Sequence, residues 1–348
     1  MNKYRNIALV SSYVPFIDGG AINIVTWLAN KLNGRGFNVE IIWIPEDHAP
    51  DKIFSQTKIY ELIDLSDADL VITFRPMSHL IKHPNKVVWF IHHIRSFYDL
   101  WGTESHASFR TQDNQKIRET LMSIDTVSLN KATRIFTNSI EVQNRLAKFN
   151  GVNSEVLYPP LLEPDVYHFN SQNNEILCIG RIEIHKRPDL FIKSLALTKS
   201  GVKLRFLGKA SDIGYVNKLN SLISDLNLKD RVLFENRWVT EQEKIEKLSN
   251  CLALIYAPLI EDSYGYPSLE ASYSSKPIIT TTDSGGVLEL VKDGFNGWIV
   301  EPSEVAIAKV FDQALIDSGN TKQMGFNAKK RLEDLNISWD FVLEKLLS

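Results

Sequence analysis

Two cysteines in 348 residues cannot build a disulfide framework. Cys178 and Cys251 stand far apart, each inside an apolar run, and read as buried thiols of a reducing compartment. Long apolar runs are missing too. None approaches the ~20 residues that span a bilayer, and Ile7-Ala8-Leu9-Val10 near the N-terminus is too short for a signal-peptide core. A cytoplasmic protein is expected, with at most peripheral contact at the inner face of a membrane. Neither sign of charge dominates: 39 Lys and Arg against 42 Asp and Glu leave −3, which gives no global attraction to nucleic acid. The full G-x-G-x-x-G fingerprint is absent, which counts against NAD. No Asp-x-Asp constellation stands in a convincing metal-binding loop, so neither a cofactor nor a catalytic metal is expected.

What is present is alternation. Asn6–Ser12 is an apolar run of strand length, and a loop of Pro and Gly breaks it. Val25, Leu28, Ala29 and Leu32 then recur at helical spacing until Gly34-Arg35-Gly36, and Val39–Ile44 resumes an extended run. Asp69–Phe74, Val87–Ile91 and Arg134–Thr137 read as further strands. Strands alternating with helices imply a parallel sheet. After Tyr158-Pro159-Pro160, Pro164 and the polar Asn170–Asn174 the alternation restarts. Its strands are expected at Glu175–Gly180, Lys203–Leu207, Arg231–Phe234, Leu252–Tyr256, Pro277–Thr281 and Gly297–Val300. The expected class is α/β: two doubly wound Rossmann-like domains, 1–165 and 166–325, facing a central cleft. A last segment, 326–348, carries Ser338–Leu343, which looks like a helix.

The most informative stretch is Glu261-Asp262-Ser263-Tyr264-Gly265-Tyr266-Pro267-Ser268-Leu269-Glu270-Ala271, followed by Lys276-Pro277 and Ser284-Gly285-Gly286-Val287-Leu288-Glu289. A Tyr-Gly loop entering a helix turns free backbone N–H groups and a positive helix end toward a ligand, a good seat for phosphate or sugar oxygen. This text resembles the retaining glycosyltransferase 4 family of GT-B fold ("glycosyl transferases group 1"). That family carries an acid, an aromatic-Gly pair, Leu-Glu-Ala, a Pro-led strand and Gly-Gly-x-x-Glu. The likeness covers nearly the whole second domain.

The resemblance implies roles. Glu270 would hold the ribose of a nucleotide-sugar donor. The acid eight positions earlier is usually Glu; here it is Asp262 with Glu261 beside it, one methylene short, and either could face the donor sugar. Ser263, Tyr264, Gly265 and Tyr266 would complete that loop. In Gly180-Arg181-Ile182-Glu183-Ile184-His185-Lys186-Arg187-Pro188-Asp189, two cations five positions apart on a strand-to-helix loop suit one diphosphate. The family has such cations there, matching Arg181 and Lys186. Arg231–Thr240 matches the family's seat for the base, which Arg237 or Trp238 would meet, a purely structural aromatic being an equal reading.

In the first domain Asp18-Gly19-Gly20 precedes a helix, and the resemblance makes Gly19 and Gly20 donor-side contacts. His92 ends an apolar strand and resembles the family histidine near the reacting sugar. Arg95, Tyr98 and Asp99 follow as acceptor-side candidates, while His93 reads as structural. The last helix commonly crosses back to the first domain in GT-B proteins, and the same is expected here.

The function implied is transfer, with retention, of a hexose from a UDP- or GDP-sugar to a saccharide or lipid-linked saccharide, in bacterial polysaccharide or glycolipid assembly. His92, Arg181, Lys186 and Asp262 are the expected catalytic groups. Other readings stay open: a nucleotide-sugar epimerase or phosphorylase on the same scaffold, a two-lobed binding protein, or a degenerate transferase.

Overall fold

The computed structural model describes residues 4–16 and 19–348; Asp18 of the glycine loop lies outside them. The chain divides into two compact units. One runs to Pro159 and takes in Ser338–Ser348; the other is Pro160–Ile337. The first unit thus closes before residue 165, and the segment that joins it starts at Ser338, not at 326.

The first unit is built on β1 (Asn6–Tyr13), β2 (Asn38–Pro45), β3 (Leu70–Thr73), β4 (Lys86–Phe90), β5 (Arg134–Thr137) and β6 (Glu155–Val156). Their order is β2-β1-β3-β4-β5-β6, every pair parallel. Helix Gly20–Asn33 buries Ile24, Val25, Leu28, Ala29 and Leu32, the face its spacing foretells. Helix Trp339–Leu347 belongs here as well. Arg134 of β5 donates to the carbonyls of Lys345 (2.5 Å) and Leu346 (3.0 Å), so a guanidinium covers carbonyls that the helix leaves open at its C-terminus.

The second unit holds β7 (Glu175–Ile179), β8 (Lys203–Gly208), β9 (Val232–Asn236), β10 (Ala253–Ile255), β11 (Ile278–Thr281) and β12 (Gly297–Val300), ordered β12-β11-β10-β7-β8-β9 and again parallel throughout. Apart from the two-residue edge strand β6, every strand falls on an apolar run expected from the sequence. Both cysteines are buried and free. Burial pushes each thiol up to about 12, so neither is a nucleophile at neutral pH.

Each sheet has one place where the strand order turns. In the first it lies between β1 and β3, in the second between β7 and β10. Ligands of doubly wound sheets bind at the carboxyl ends of strands beside such a switch point, because the connections there leave in opposite directions and open a crevice.

Candidate functional site

At the switch point of the second unit, Gly180 follows β7 and Tyr256 follows β10. The loop after β7 brings Lys186 across to Tyr256, whose hydroxyl lies 3.1 Å from Nζ, and to the Glu261 carboxylate. The ammonium also sits 5.1 Å from the Tyr256 ring centroid. Burial works against its charge, but Tyr256 and Glu261 hold its pKa above the usual lysine range, so it stays protonated. Arg181 is half exposed and pairs with Glu183 at 2.8 Å. Both cations act on His185 electrostatically. Burial lowers its pKa, Lys186 and Arg181 add to that, and Glu183 and Glu261 oppose it.

Glycines bring the next loops into place. Gly265 precedes helix Tyr266–Tyr273 with φ +71, and a Cβ there would meet the Tyr256 hydroxyl at 2.5 Å. The N-terminus of that helix therefore abuts the group that touches Lys186. A Cβ on Gly285 would fall 2.3 Å from the Glu261 carbonyl, and one on Gly286 2.6 Å from Ser263. Gly285-Gly286 is thus explained: it lets two backbones cross. The crossing is fixed by the Gly286 N–H, which donates to the Glu261 carbonyl at 3.0 Å. Arg187 opens helix Pro188–Ala196 and ties this loop down, donating to the Ala257 carbonyl and to Asp283 (2.7 and 2.8 Å).

Of the two acids read from the sequence, Glu261 is the one whose carboxylate meets Lys186. The bridge between Glu261 and Gly285 fixes the register of this loop. Tyr264 is buried, so of the loop residues it contributes packing, while Ser263 and Tyr266 are half-buried.

One turn into the same helix, Glu270 is only 6% exposed. Lys244, from helix Glu241–Asn250, donates to it at 2.6 Å and reaches Glu241 at 3.0 Å. The Tyr167 hydroxyl donates to Glu241 and also reaches Glu270. Burial raises the Glu270 pKa and Lys244 works to hold it down. The sequence reading missed Lys244 and Tyr167. Both stand in polar text that looks like solvated surface. Arg237 is clamped between Glu235 (2.8 Å) and Glu243 (2.5 Å), and Trp238 beside it is 63% exposed. The indole is open to a stacking partner; the guanidinium is already committed to two carboxylates.

In the first unit, Gly19 and Gly20 are exposed at the start of the first helix, and a Cβ on Gly19 would meet nothing within 4 Å. No contact among the described residues demands glycine at that position. His92 follows β4 and is half-buried, its Nδ1 2.7 Å from the His93 carbonyl. That nitrogen must carry the proton, so Nε2 is an acceptor. Burial and then Arg75 lower its pKa to about 4, so the ring is neutral at physiological pH. His93 is structural: it bonds Asn150 at 2.9 Å and stacks on Tyr98 at 4.0 Å.

The three acceptor-side candidates are engaged within the unit. Tyr98 is 2% exposed and gives its hydroxyl to Asp125 at 2.5 Å. Arg95 donates to Asp99 at 2.7 Å, and Arg145 approaches the same carboxylate at 3.4 Å. These side chains are turned into an internal polar network of the unit. A four-residue spacing between opposite charges satisfies itself locally.

Two doubly wound six-stranded sheets, the second with cations, glycine-crossed loops and a helix N-terminus at its switch point, define the GT-B class. Residues 162–331 match the family glycosyl transferases group 1, and the second unit is a domain of that family. Among curated proteins the chain is similar to the α-1,3/1,6-mannosyltransferase ALG2 of Dictyostelium discoideum, 34% identical over 36% of this chain and 30% of that one. It is also similar to the O-antigen chain mannosyltransferase RfbU of Salmonella typhimurium, 29% identical over 44% of each. The chain thus spans less than half the length of these relatives. Over nearly its whole length it shares a fold with solved structures. Sucrose-phosphate synthase of Thermosynechococcus elongatus has a TM-score of 0.77 at 17% identity, covering 98% of this chain and 97% of that one. Anabaena HepE in complex with UDP and glucose has 0.70 at 17% identity, covering 97% and 99%. Among the described residues no helix is long and apolar enough to cross a membrane.

Proposed function

We propose that this chain is a retaining glycosyltransferase that moves a hexose from a nucleoside-diphosphate sugar to a hydroxyl of a saccharide or lipid-linked saccharide, in polysaccharide or glycolipid assembly. The observation that carries this reading is the meeting of Lys186, the Tyr256 hydroxyl and the N-terminus of helix Tyr266–Tyr273 at the switch point of the second sheet, with Glu270 one turn further on. A diphosphate placed on Lys186 and the helix N–H groups puts its ribose within reach of Glu270. The names of the two mannosyltransferase relatives make mannose the first sugar to test.

In the proposed step the bond between the anomeric carbon and the phosphate oxygen breaks, and its electron pair leaves with the diphosphate. Lys186, Arg181 and the loop N–H groups stabilise the charge that grows there, and stabilisation confined to the transition state is what raises rate. The acceptor hydroxyl attacks the same face, forms the new C–O bond and passes its proton to the departing phosphate oxygen. His92, held neutral, accepts a hydrogen bond from a sugar hydroxyl through Nε2.

Thermal melting against UDP, GDP, ADP and their sugars tests the donor. One nucleotide family is expected to raise the midpoint, since ligand at about 100 times Kd adds roughly 2.7 kcal/mol of stability. No shift with any of them would remove the reading. Donor incubated alone should give only slow hydrolysis; an epimerised sugar would make the chain an epimerase instead. Turnover is expected to survive EDTA, and loss of activity restored by manganese would disprove the metal-free step.

A further inference from the structure

The amino-terminal end of the first sheet, opposite its switch point, carries a cavity of about 770 Å³. Helices Ile53–Leu62 and Gln112–Leu129 form its walls, and the turn Ser78–Leu80, which packs against both, leads into its floor. Leu80 and Ile81 are buried in that floor; on the wall Ile124 is half-buried and Val127 is 55% exposed. Lys86 opens β4 at this end and His92 follows the same strand at the other, so cavity and histidine stand at opposite ends of the sheet.

Lys58, Lys82, Lys86 and Lys131 all line this cavity, and among the described lining residues the one carboxylate is Glu61. Glu61 lies 3.6 Å from Lys82 with both side chains more than half exposed, so that bridge is weak. Lys58, Lys86 and Lys131 have no carboxylate partner among the described residues. Lys86 is only 2% exposed, and its ammonium donates to the carbonyls of His79 (2.6 Å) and Ser128 (3.2 Å) and to Ser128 Oγ (3.3 Å). Its hydrogen bonds are filled, but its charge is not neutralised. Burial, and then Lys131, push its pKa down to about 8. A buried cation beside a second cation is unfavourable without an anion near both. A ligand can bring that anion.

The lining narrows the ligand. A bare phosphate would meet the lysines but leave Ile124 and Val127 against water, in a recess of the volume that takes drug-sized molecules. A neutral apolar molecule would cover those side chains and desolvate the lysines without compensation. An anionic head on an apolar body meets both demands. The occupant is a discrete molecule, because a flat bilayer does not reach a floor recessed between two helices.

We infer that this cavity binds an amphipathic anion, a phosphate or carboxylate on an apolar chain, with its head on Lys58 and Lys131 above buried Lys86 and its chain on Ile124 and Val127. The site lies apart from the proposed reaction centre and does not depend on the transferase reading.

Calorimetry of the full chain with decyl phosphate, kept below its micelle concentration, tests this. Saturable binding at one site per chain is expected, with decyl maltoside and inorganic phosphate each at least about tenfold weaker. Replacing Lys58 and Lys131 together by glutamine should weaken decyl phosphate about tenfold and leave the melting midpoint near wild type, since both side chains are exposed. Val127→Asp sets a carboxylate on the exposed wall and should bring binding below detection. Should a variant melt early, the ranking of the three ligands on the wild type still decides. Decyl maltoside or inorganic phosphate binding as tightly as decyl phosphate overturns the inference. So does full affinity in both variants, which would put the amphiphile elsewhere. Vesicles containing phosphatidylglycerol that capture the chain while decyl phosphate does not bind would make this face a membrane-docking surface instead. Absence of any decyl phosphate binding removes the site, whatever the nucleotide screen gives.

Discussion

Replacing Lys186 by methionine is expected to lower kcat/KM roughly 100- to 1000-fold while the protein stays folded. The ammonium touches both the Tyr256 hydroxyl and the Glu261 carboxylate. When the glycosidic bond breaks, the diphosphate gains negative charge, and a fixed cation in a partly buried site stabilises that gain without reorganising. Methionine keeps the length and apolar stem of the side chain, so the packing on Tyr256 survives. The loss should be larger in kcat than in nucleotide affinity, because the added charge exists only in the transition state. Arginine at 186 should recover part of the rate. Steady-state kinetics with the selected donor measures both quantities, and a variant within threefold of wild type would take Lys186 out of the mechanism.

Sequence reading located the strands and the second-unit loop well, for a physical reason. A strand of a parallel sheet covered on both faces is a compact apolar run, and β7 to β12 stand in such runs between Gly, Pro and polar breaks. Gly285-Gly286 and Gly265 were legible because only glycine tolerates another backbone or ring within 3 Å of its Cα substituent. What the sequence concealed was direction. Arg95, Tyr98 and Asp99 have the residue types of a sugar site, yet they satisfy one another, Asp125 and Arg145. Lys58, Lys86 and Lys131 come together only because the ends of two helices meet the start of one strand, and nothing within any one segment announces it. That Glu261 meets Lys186 turned on a backbone register that spacing alone does not fix.

Lys244→Met is expected to weaken nucleotide binding about tenfold and, more tellingly, to make that loss depend on the ribose. Lys244 holds one oxygen of Glu270 at 2.6 Å and is shared with Glu241 at 3.0 Å. Burial already raises the Glu270 pKa, with Lys244 the largest influence against it. Without the lysine the carboxyl takes up a proton more readily. A neutral carboxyl then meets the ribose hydroxyls with ordinary hydrogen bonds of about 1 kcal/mol, where a carboxylate makes charge-assisted ones of about 1.5–3 kcal/mol. Calorimetry with the preferred nucleoside diphosphate and its 2′,3′-dideoxy analogue separates this from general damage. The variant should lose affinity for the ribonucleotide and bind the dideoxy compound as wild type does, whereas equal losses on both would make Lys244 a structural residue. Stability adds a second sign. A carboxyl whose folded pKa lies above its unfolded value stabilises the fold at low pH and loses that contribution as pH rises through the folded value. The melting midpoint of the free variant should therefore fall further below wild type as pH rises above the ordinary carboxylate range, where Glu270 must ionise in a buried site without its cation. A gap that stays constant or narrows over that range would mean that Glu270 does not depend on Lys244 for its charge.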